Sequence, residues 1–126
     1  MSAEREVVDA WLRAYNERDE PRLLELSEPD FVMDGLAGEQ VGHAALRERL
    51  AGPAYGVSVH VRVLRAWESG EMVVVETLSE VRYGEAPEPG ESMSGAATFT
   101  VRAGRVASMR VVPDLAEALG AAGFGD

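Results

Sequence analysis

The chain has 126 residues, of which 46% are hydrophobic and 27% are charged, as is typical of one globular domain. Its formal net charge of -10 argues against nucleic acid and anionic membrane surfaces as partners, because binding phosphates requires a face rich in lysine and arginine. The absence of cysteine excludes disulfides, thiolate metal sites and a cysteine nucleophile.

The first part of the chain has helical periodicity. Within "SAEREVVDAWLRAYNERDE", one apolar stripe forms at helical spacing from Val7, Val8, Trp11, Leu12 and Tyr15. Pro21 is well placed as the first residue of a second, short helix. The run from Phe31 to Asp34 predicts a short strand, and "GLAGEQVG" predicts a loop. "HAALRERLAGP" predicts a third helix, which Gly52-Pro53 would end.

From Val57 onward the periodicity changes from 3.6 to 2. "VSVHVRVLRAWE" alternates valines with polar residues, as expected of a strand with one buried face. "EMVVVETLSEVRYGE", "SMSGAATFTVRA" and "RVASMRVVPD" predict three further strands, joined by the turn segments "APEPGE" and "AG". Asp114, with Glu117 three residues on, predicts the cap of a last short helix, "LAEALG". This order indicates an α+β fold in which helices cover one face of a curved antiparallel sheet.

The order of elements and the local sequence resemble the nuclear transport factor 2-like superfamily, which includes SnoaL-like polyketide cyclases, ketosteroid isomerases and limonene epoxide hydrolases. Four segments carry the resemblance: "VVDAWLRAYNERDEPRLLEL", "PDFVMDG", "VGHAALRERL" and "GRVASMRVVPDLAEAL". It covers nearly the whole chain and is specific for the fold rather than the function. It implies a cone-shaped sheet wrapped around helices, with a pocket on its concave side and an outer side that often forms a dimer.

Strand alternation, together with the resemblance, assigns the pocket residues. We expect Asp34 to face the cavity together with Val32, and Trp11 and Tyr15 to roof it from the first helix. The other expected pocket residues lie on the later strands: Thr77, Ser79, Val81, Tyr83, Gly95, Ala97, Phe99, Met109 and Val111. A mostly apolar cavity of this kind is the usual composition of a site for a small hydrophobic molecule.

Asp34 is the candidate catalytic residue. The resemblance to ketosteroid isomerases places it at the position of the general base. Those enzymes also need an oxyanion hole made of a tyrosine and a neutral carboxylic acid, and the matching positions hold Trp11 and Gly95. An indole N–H can donate one hydrogen bond, whereas glycine supplies no side chain. The resemblance therefore implies one of the three parts of that site, the general base Asp34.

The epoxide hydrolases and the SnoaL-like cyclases are matched less well. Epoxide hydrolases need an Asp-Arg-Asp network around a water, and the matching positions are Thr77, Ser79 and Val111, none of which ionises usefully. The acid of the SnoaL-like cyclases is expected near Val111, so it is missing as well. Epoxide hydrolysis is therefore the less favoured activity.

Two classes of function stay open. In the first, the protein is an isomerase, cyclase or lyase that acts on an apolar carbonyl compound, with Asp34 as general acid/base. In the second, it is a non-catalytic binding module for a hydrophobic metabolite, and Asp34 only opens an Asp-Gly turn. The number of ionisable side chains that face the cavity separates the two. Neither histidine has a nearby acid cluster, so we expect no metal site, and no cofactor motif is visible.

The sequence also bears on assembly and location. We expect a homodimer formed through the sheet, because an apolar patch is predicted on its outer face from Leu64, Val74, Leu78 and Val112. No apolar run approaches the ~20 residues of a membrane span, and the N-terminus lacks the basic and apolar regions of a signal peptide. We therefore expect a cytoplasmic protein that forms a single domain of this superfamily over residues 1–126.

Overall fold

The computed structural model of the chain describes residues 3–35, 38–50, 57–83, 91–112 and 114–121. The described elements, in chain order, are α1 Ala3–Glu17, α2 Glu20–Glu25, β1 Ser27–Gly35, β2 Gly38–Val41, α3 His43–Leu50, β3 Val57–Ser69, β4 Met72–Tyr83, β5 Glu91–Arg102, β6 Arg105–Val112 and α4 Leu115–Ala121. The strands form a six-stranded sheet of order β2-β1-β6-β5-β4-β3. Its pairs are antiparallel except β1 with β6, which is parallel. The predicted α+β fold is confirmed.

The first helix, α1, lies on the inner face of the sheet. Its buried side chains are Val8, Trp11, Leu12, Ala14 and Tyr15. They pack against inward-facing residues of the strands, which include Phe31, Met33, Val73, Val75, Ala97, Phe99, Val101, Val106 and Met109. Because apolar surface removed from water stabilises a fold by about 25 cal/mol per Å², this contact holds the helix on the sheet.

The outer face of the sheet carries a second, smaller core beneath α4. The buried members of this core are Val74, Ala96, Val112 and Ala118, and the side chains that pack against them are Trp67, Leu115 and Leu119. The prediction that Val74 and Val112 belong to an exposed outer patch is therefore wrong, because a helix of the same chain covers both. The first helix covers the inner face, as predicted, and α4 adds a helix on the opposite face.

Asp114 caps α4 in the manner predicted from its spacing to Glu117. Its Oδ1 accepts hydrogen bonds from the backbone N–H of Ala116 at 2.8 Å and of Glu117 at 3.4 Å. An acidic cap satisfies N–H groups that have no partner within the helix. The cap therefore helps α4 to form at the position where it covers the sheet.

The segment predicted as a loop after Asp34 contains a strand. β1 begins at Ser27 rather than Phe31, and β2 pairs with it antiparallel from Val32↔Val41 to Gly35↔Gly38. β2 has four residues with only one β-branched side chain, which is too short a run for periodicity to indicate a strand. β2 therefore forms because the edge of β1 offers backbone hydrogen bonds, and its own sequence contains no strand pattern.

The turn between β5 and β6 agrees with the predicted "AG" hairpin. Ala103 and Gly104 have φ values of 50° and 78°, and the strands pair up to Arg102↔Arg105. Two consecutive residues with positive φ are characteristic of a two-residue type I′ turn, whose second position suits glycine. The other predicted turn, "APEPGE", falls almost entirely on positions 84–90, outside the described residues.

One edge of the sheet is formed by β3, and the C-terminal end of α1 is bonded to it. The side-chain amide of Asn16 donates from Nδ2 to the carbonyl of Val61 at 2.8 Å, and its Oδ1 accepts from the N–H of Val61 at 2.9 Å. Nη2 of Arg18 donates to the carbonyl of Val59 at 3.2 Å. These bonds fix the end of α1 against the backbone of β3.

Within the described part of the chain, no helix is long and apolar enough to cross a membrane.

Candidate functional site

A cavity of about 270 Å³ lies between α1 and the inner face of the sheet. The first helix contributes Trp11, Leu12 and Tyr15. The strands contribute Met33, Val59, Val61, Val75, Thr77, Ser79, Val81, Met93, Ala96, Ala97, Phe99, Met109 and Val111. The volume is close to the lower end of the range for small-molecule pockets, about 300–1,000 Å³.

Most of the pocket residues named from the sequence stand in this wall. They are Trp11, Tyr15, Thr77, Ser79, Val81, Ala97, Phe99, Met109 and Val111. On β4, β5 and β6 most of the lining residues are two apart, as alternation requires, and Ala96, which also belongs to the outer core, is the exception on β5. The side chain of Tyr83 lies outside the described residues.

Asp34 and Val32 lie on the opposite face of the sheet from the cavity. The carboxylate of Asp34 is 3.7 Å from Nε of Arg110, and the two side chains are 44% and 60% exposed. The neighbouring residue Met33 is 3% exposed and lines the cavity. The prediction that Asp34 and Val32 face the cavity is therefore wrong, because successive side chains on a strand point to opposite faces.

The assignment was open because Phe31, Val32 and Met33 are all apolar, so alternation alone does not choose a face. The structure buries Phe31 and Met33, which hide more apolar surface than Val32 and leave the carboxylate of Asp34 near water. Burial of a carboxylate without a partner is costly, whereas burial of Phe and Met side chains stabilises the fold. This energetic comparison was the signal that could have identified the inward face of β1.

Gly95 lies directly opposite Thr77 across the β4–β5 pair. It adds no side chain to the cavity wall, and a Cβ atom placed on it would be 4.0 Å from Oγ1 of Thr77 and 3.4 Å from the carbonyl oxygen of Val112. Both distances are ordinary van der Waals contacts.

Trp11 is fixed by ring contacts and by one hydrogen bond. Its ring is stacked on Tyr15, with centroids 5.8 Å apart and planes 4° apart, and it meets Phe99 edge to face at 5.4 Å. The indole N–H donates to Oγ of Ser27 at 2.9 Å, and the Ser27 hydroxyl donates to the carbonyl of Leu23 at 2.8 Å. The N–H that could have served an oxyanion hole is therefore bonded away from the cavity.

Hydroxyl groups provide the polar side chains of the wall. They belong to Tyr15, Thr77 and Ser79, and no aspartate, glutamate, histidine, lysine or arginine is among the described residues that line the cavity. In addition, the described residues contain no cluster of histidines and carboxylates that could hold a metal ion. The cavity can therefore bind by apolar contact and neutral hydrogen bonds, but its described wall offers no carboxylate or imidazole for proton transfer.

Sequence reasoning missed several residues of the wall. These are Leu12, Met33, Val59, Val61, Val75, Met93 and Ala96. Alternation along β3 already marked Val59 and Val61 as inward, and their pairing with Val81 and Ser79 places them beside the predicted pocket. Met93 is opposite Ser79 on β5 and two residues before Gly95, so the same alternation marks it as inward, although it is 56% exposed.

Comparison with known proteins bears on the family and the fold. A family model described as a SnoaL-like domain matches residues 8–109. Among proteins with curated functions, none matches the sequence significantly.

Several solved structures have the same fold. TerC, co-crystallised with polyporic acid, has a TM-score of 0.76 and 22% identity, over 94% of this chain and 97% of TerC. A protein with a ketosteroid isomerase-like fold from Catenulispora acidiphila, in complex with trimethylamine, has a TM-score of 0.73 and 22% identity, over 91% of this chain and 90% of the other. An NTF2-like protein of unknown function from Burkholderia pseudomallei has a TM-score of 0.76 and 19% identity, over 95% and 97% of the two chains.

At these identities the structural likeness shows the fold alone, and it confirms the nuclear transport factor 2-like fold that was predicted from the sequence. The family model adds a match in sequence over most of the chain. The protein is therefore a member of the family of SnoaL-like domains.

Proposed function

We propose that this protein is a binding module that holds a small, neutral hydrophobic molecule in the cavity beneath α1. The observation that carries the proposal is the composition of the wall, in which the described lining residues include aromatic, methionine and aliphatic side chains but no charged one. An ion taken from water into such a site would lose its hydration without gaining a partner, at a cost of several kcal/mol. A neutral molecule avoids that cost and gains from apolar contact.

The side chains of the wall favour an aromatic molecule. Trp11, Tyr15 and Phe99 present ring faces and edges, and Met33 and Met109 add polarisable sulfur atoms. Aromatic pairs and sulfur–aromatic contacts each contribute about 0.5–1.5 kcal/mol beyond area burial. Two structural relatives were crystallised with small organic molecules, polyporic acid and trimethylamine.

The alternative function, an isomerase, cyclase or lyase with Asp34 as general acid/base, loses its support. A general base must come within hydrogen-bonding reach of the proton that it removes. Asp34 lies on the outer face beside Arg110, with the sheet between it and the cavity. The positions that match the epoxide hydrolase network, Thr77, Ser79 and Val111, do line the cavity, but none carries a charge.

The proposal is tested by ligand binding, read from the fluorescence of Trp11. The other tryptophan, Trp67, lies on the outer face, so the variant Trp67→Phe isolates the signal from the cavity. In this background we expect 2-isopropylnaphthalene to quench Trp11 fluorescence and 2-naphthoate, its charged counterpart, to bind at least tenfold more weakly.

A cavity-filling variant locates the site. Ala97→Leu places three more carbon atoms in the cavity wall, where Ala97 is 6% exposed, and should weaken binding of 2-isopropylnaphthalene at least tenfold. Ala44→Leu makes the same change on the exposed surface of α3 and serves as the control. Equal affinity for the neutral and charged compounds, or equal affinity in the two variants, would contradict the proposal.

The homodimer formed through the sheet is the second part of the proposal. With Val74 and Val112 covered by α4, the remaining apolar residues of the predicted outer patch are Leu64, which is 47% exposed, and Leu78, which is half-buried. Exposed apolar groups of this kind are common at interfaces. Sedimentation at high micromolar concentration is expected to show a dimer that Leu64→Arg dissociates, and a monomeric wild-type protein would contradict this part.

A further inference from the structure

We infer that the hydroxyl groups of Thr77 and Ser79 bind one carbonyl oxygen of the ligand, so that the cavity selects neutral aromatic ketones or quinones. The inference rests on the proposed binding function and specifies its ligand class. Thr77 and Ser79 are two residues apart on β4 and both line the cavity. Side chains two apart on a strand point to the same face, with their Cβ atoms about 6.6 Å apart. Rotamers that turn the two hydroxyls toward each other shorten the gap between the oxygens, so that one ligand oxygen between them can bond to both.

Neither hydroxyl is engaged by the described part of the protein. Thr77 is 8% exposed, yet no described residue is hydrogen-bonded to its side chain or to that of Ser79. Among the described residues, the side-chain polar atom that is fully buried without a hydrogen-bond partner is Nη1 of Arg18. The hydroxyl oxygens of Thr77 and Ser79 have no such partner in the described part of the chain either, but they are not fully buried. They are therefore open to the cavity, where a ligand could bond to them. Because both hydroxyls open to the cavity, a ligand with a suitable acceptor can replace water as their hydrogen-bonding partner.

Gly95 is the register partner of Thr77 on β5 and brings no side chain to the wall beside it. A Cβ atom added there would be in ordinary van der Waals contact with Oγ1 of Thr77, at 4.0 Å. The neighbouring residues Ala97 and Val75 are small or aliphatic and offer no competing hydrogen bond. The hydroxyl pair is therefore a polar site on the sheet side of the wall, where the other described lining side chains are apolar.

A carbonyl group fits this pair better than other neutral oxygen groups. Each hydroxyl brings one donor proton, and a carbonyl oxygen has two lone pairs that can accept both. A phenol that donates to one hydroxyl and accepts from the other leaves one donor proton unpaired. A carboxylate would accept both bonds but has no counter-charge among the described lining residues.

The test compares two probes of similar shape, 2-acetylnaphthalene and 2-isopropylnaphthalene, which differ in a carbonyl oxygen and a methyl group. Binding is measured through Trp11 fluorescence in the Trp67→Phe background. Thr77→Val and Ser79→Ala are each expected to lower the affinity for 2-acetylnaphthalene about threefold to tenfold and not to lower that for 2-isopropylnaphthalene, which makes no hydrogen bond to either hydroxyl. Thr77→Ser keeps the hydroxyl and is expected to retain the preference for the ketone.

Thr98→Val makes the matched change on the outer face of β5 and should alter neither affinity, which separates a specific loss from a general effect on folding. The inference is overturned if wild type does not prefer the ketone, or if Thr77→Val changes both affinities equally. In those cases binding of the hydrocarbon still supports the proposed function. If neither probe binds wild type, the proposed function fails and the inference fails with it.

Discussion

The side-chain amide of Asn16 occupies the place of a neighbouring strand beside Val61. It donates to the Val61 carbonyl at 2.8 Å and accepts from the Val61 N–H at 2.9 Å, so both backbone groups of one edge residue are paired. An antiparallel neighbour would exchange the same two bonds with a residue of β3. Unpaired edge groups invite pairing with other chains, so this contact protects the edge while it holds α1 over the cavity.

Replacement of Asn16 by alanine should destabilise the protein. Asn16→Ala leaves the N–H and carbonyl of Val61, which are partly buried, without their protein partner, and we expect the free energy of unfolding to fall by about 1–3 kcal/mol. Urea denaturation measures the change. Glu17→Ala, at the adjacent exposed residue of α1, is the control and should stay within about 0.5 kcal/mol of wild type. Indistinguishable values for the two variants would show that the pair contributes nothing.

The position of Asp34 leads to the second prediction. Asp34→Asn should leave the affinity for 2-isopropylnaphthalene unchanged, because the side chain lies on the face away from the cavity. The unfolding free energy should change by less than about 1 kcal/mol, the usual range for an exposed ion pair such as Asp34–Arg110. Ligand titration and urea denaturation check the two halves, and Arg110→Gln should reproduce the small effect. A tenfold loss of affinity in Asp34→Asn would reinstate Asp34 as a cavity residue.

The sequence predicts the large elements because their patterns are long. β3 has 13 residues and alternates valines with polar residues from Val57 to Val63, and β4 has 12 residues that are rich in β-branched side chains. β2 has four residues and forms because β1 lies beside it, so no hydrophobic pattern in its own sequence indicates a strand. The outer core beneath α4 was missed for a related reason, since seven residues of helix do not show which face of a distant sheet they will cover.

The side chains that face the cavity could be predicted on strands with one polar face. The prediction failed on strands whose two faces are both apolar. On β4, the outward charges Glu76 and Glu80 leave Thr77 and Ser79 on the inner side, and the structure places both in the wall. On β1, Phe31 to Met33 are apolar on both faces, so alternation does not choose the face of Asp34, and the comparison of apolar burial with the cost of a buried carboxylate is needed to choose it.

The buried chain of hydrogen bonds from Trp11 through Ser27 gives the third prediction. Ser27 is 1% exposed, and Ser27→Ala would leave the indole N–H without a partner, which should lower the free energy of unfolding by about 1–3 kcal/mol. In the Trp11→Phe background the same change should be smaller, because the donor is already gone, and a double-mutant cycle by urea denaturation measures the difference. The exposed Ser94→Ala is the control. Strictly additive effects would show that the bond contributes no stability.

The ion pair of Arg65 and Glu76 on the outer face predicts a pH dependence. A hydrogen bond from Nε of Arg65 at 2.8 Å lowers the pKa of the Glu76 carboxyl below its ordinary value of 4.5. A carboxyl whose pKa is lower in the folded protein contributes stability that is present above its unfolded pKa and is lost as pH falls through its folded pKa.

Glu76→Gln removes that contribution. The difference in unfolding free energy between wild type and Glu76→Gln should be constant from pH 7 down to about 5 and should shrink as the pH falls further below the ordinary value. Urea denaturation at a series of pH values measures it, and Glu48→Gln at an exposed position of α3 is the control for general charge effects. A difference in unfolding free energy that does not vary with pH would contradict the lowered pKa of the Glu76 carboxyl.

The alternation along β1 has a consequence for design. Asp34 and Met33 are adjacent, yet one stands in water beside Arg110 and the other is 3% exposed in the cavity wall, opposite Met109. A carboxylate moved by one position, as in Met33→Asp, would enter the cavity among apolar side chains, where loss of hydration raises the pKa of a carboxyl toward neutrality. Such a group has the properties of a general base. In this fold, moving one acidic residue by a single position along β1 would thus give a binding protein a candidate general base in its cavity.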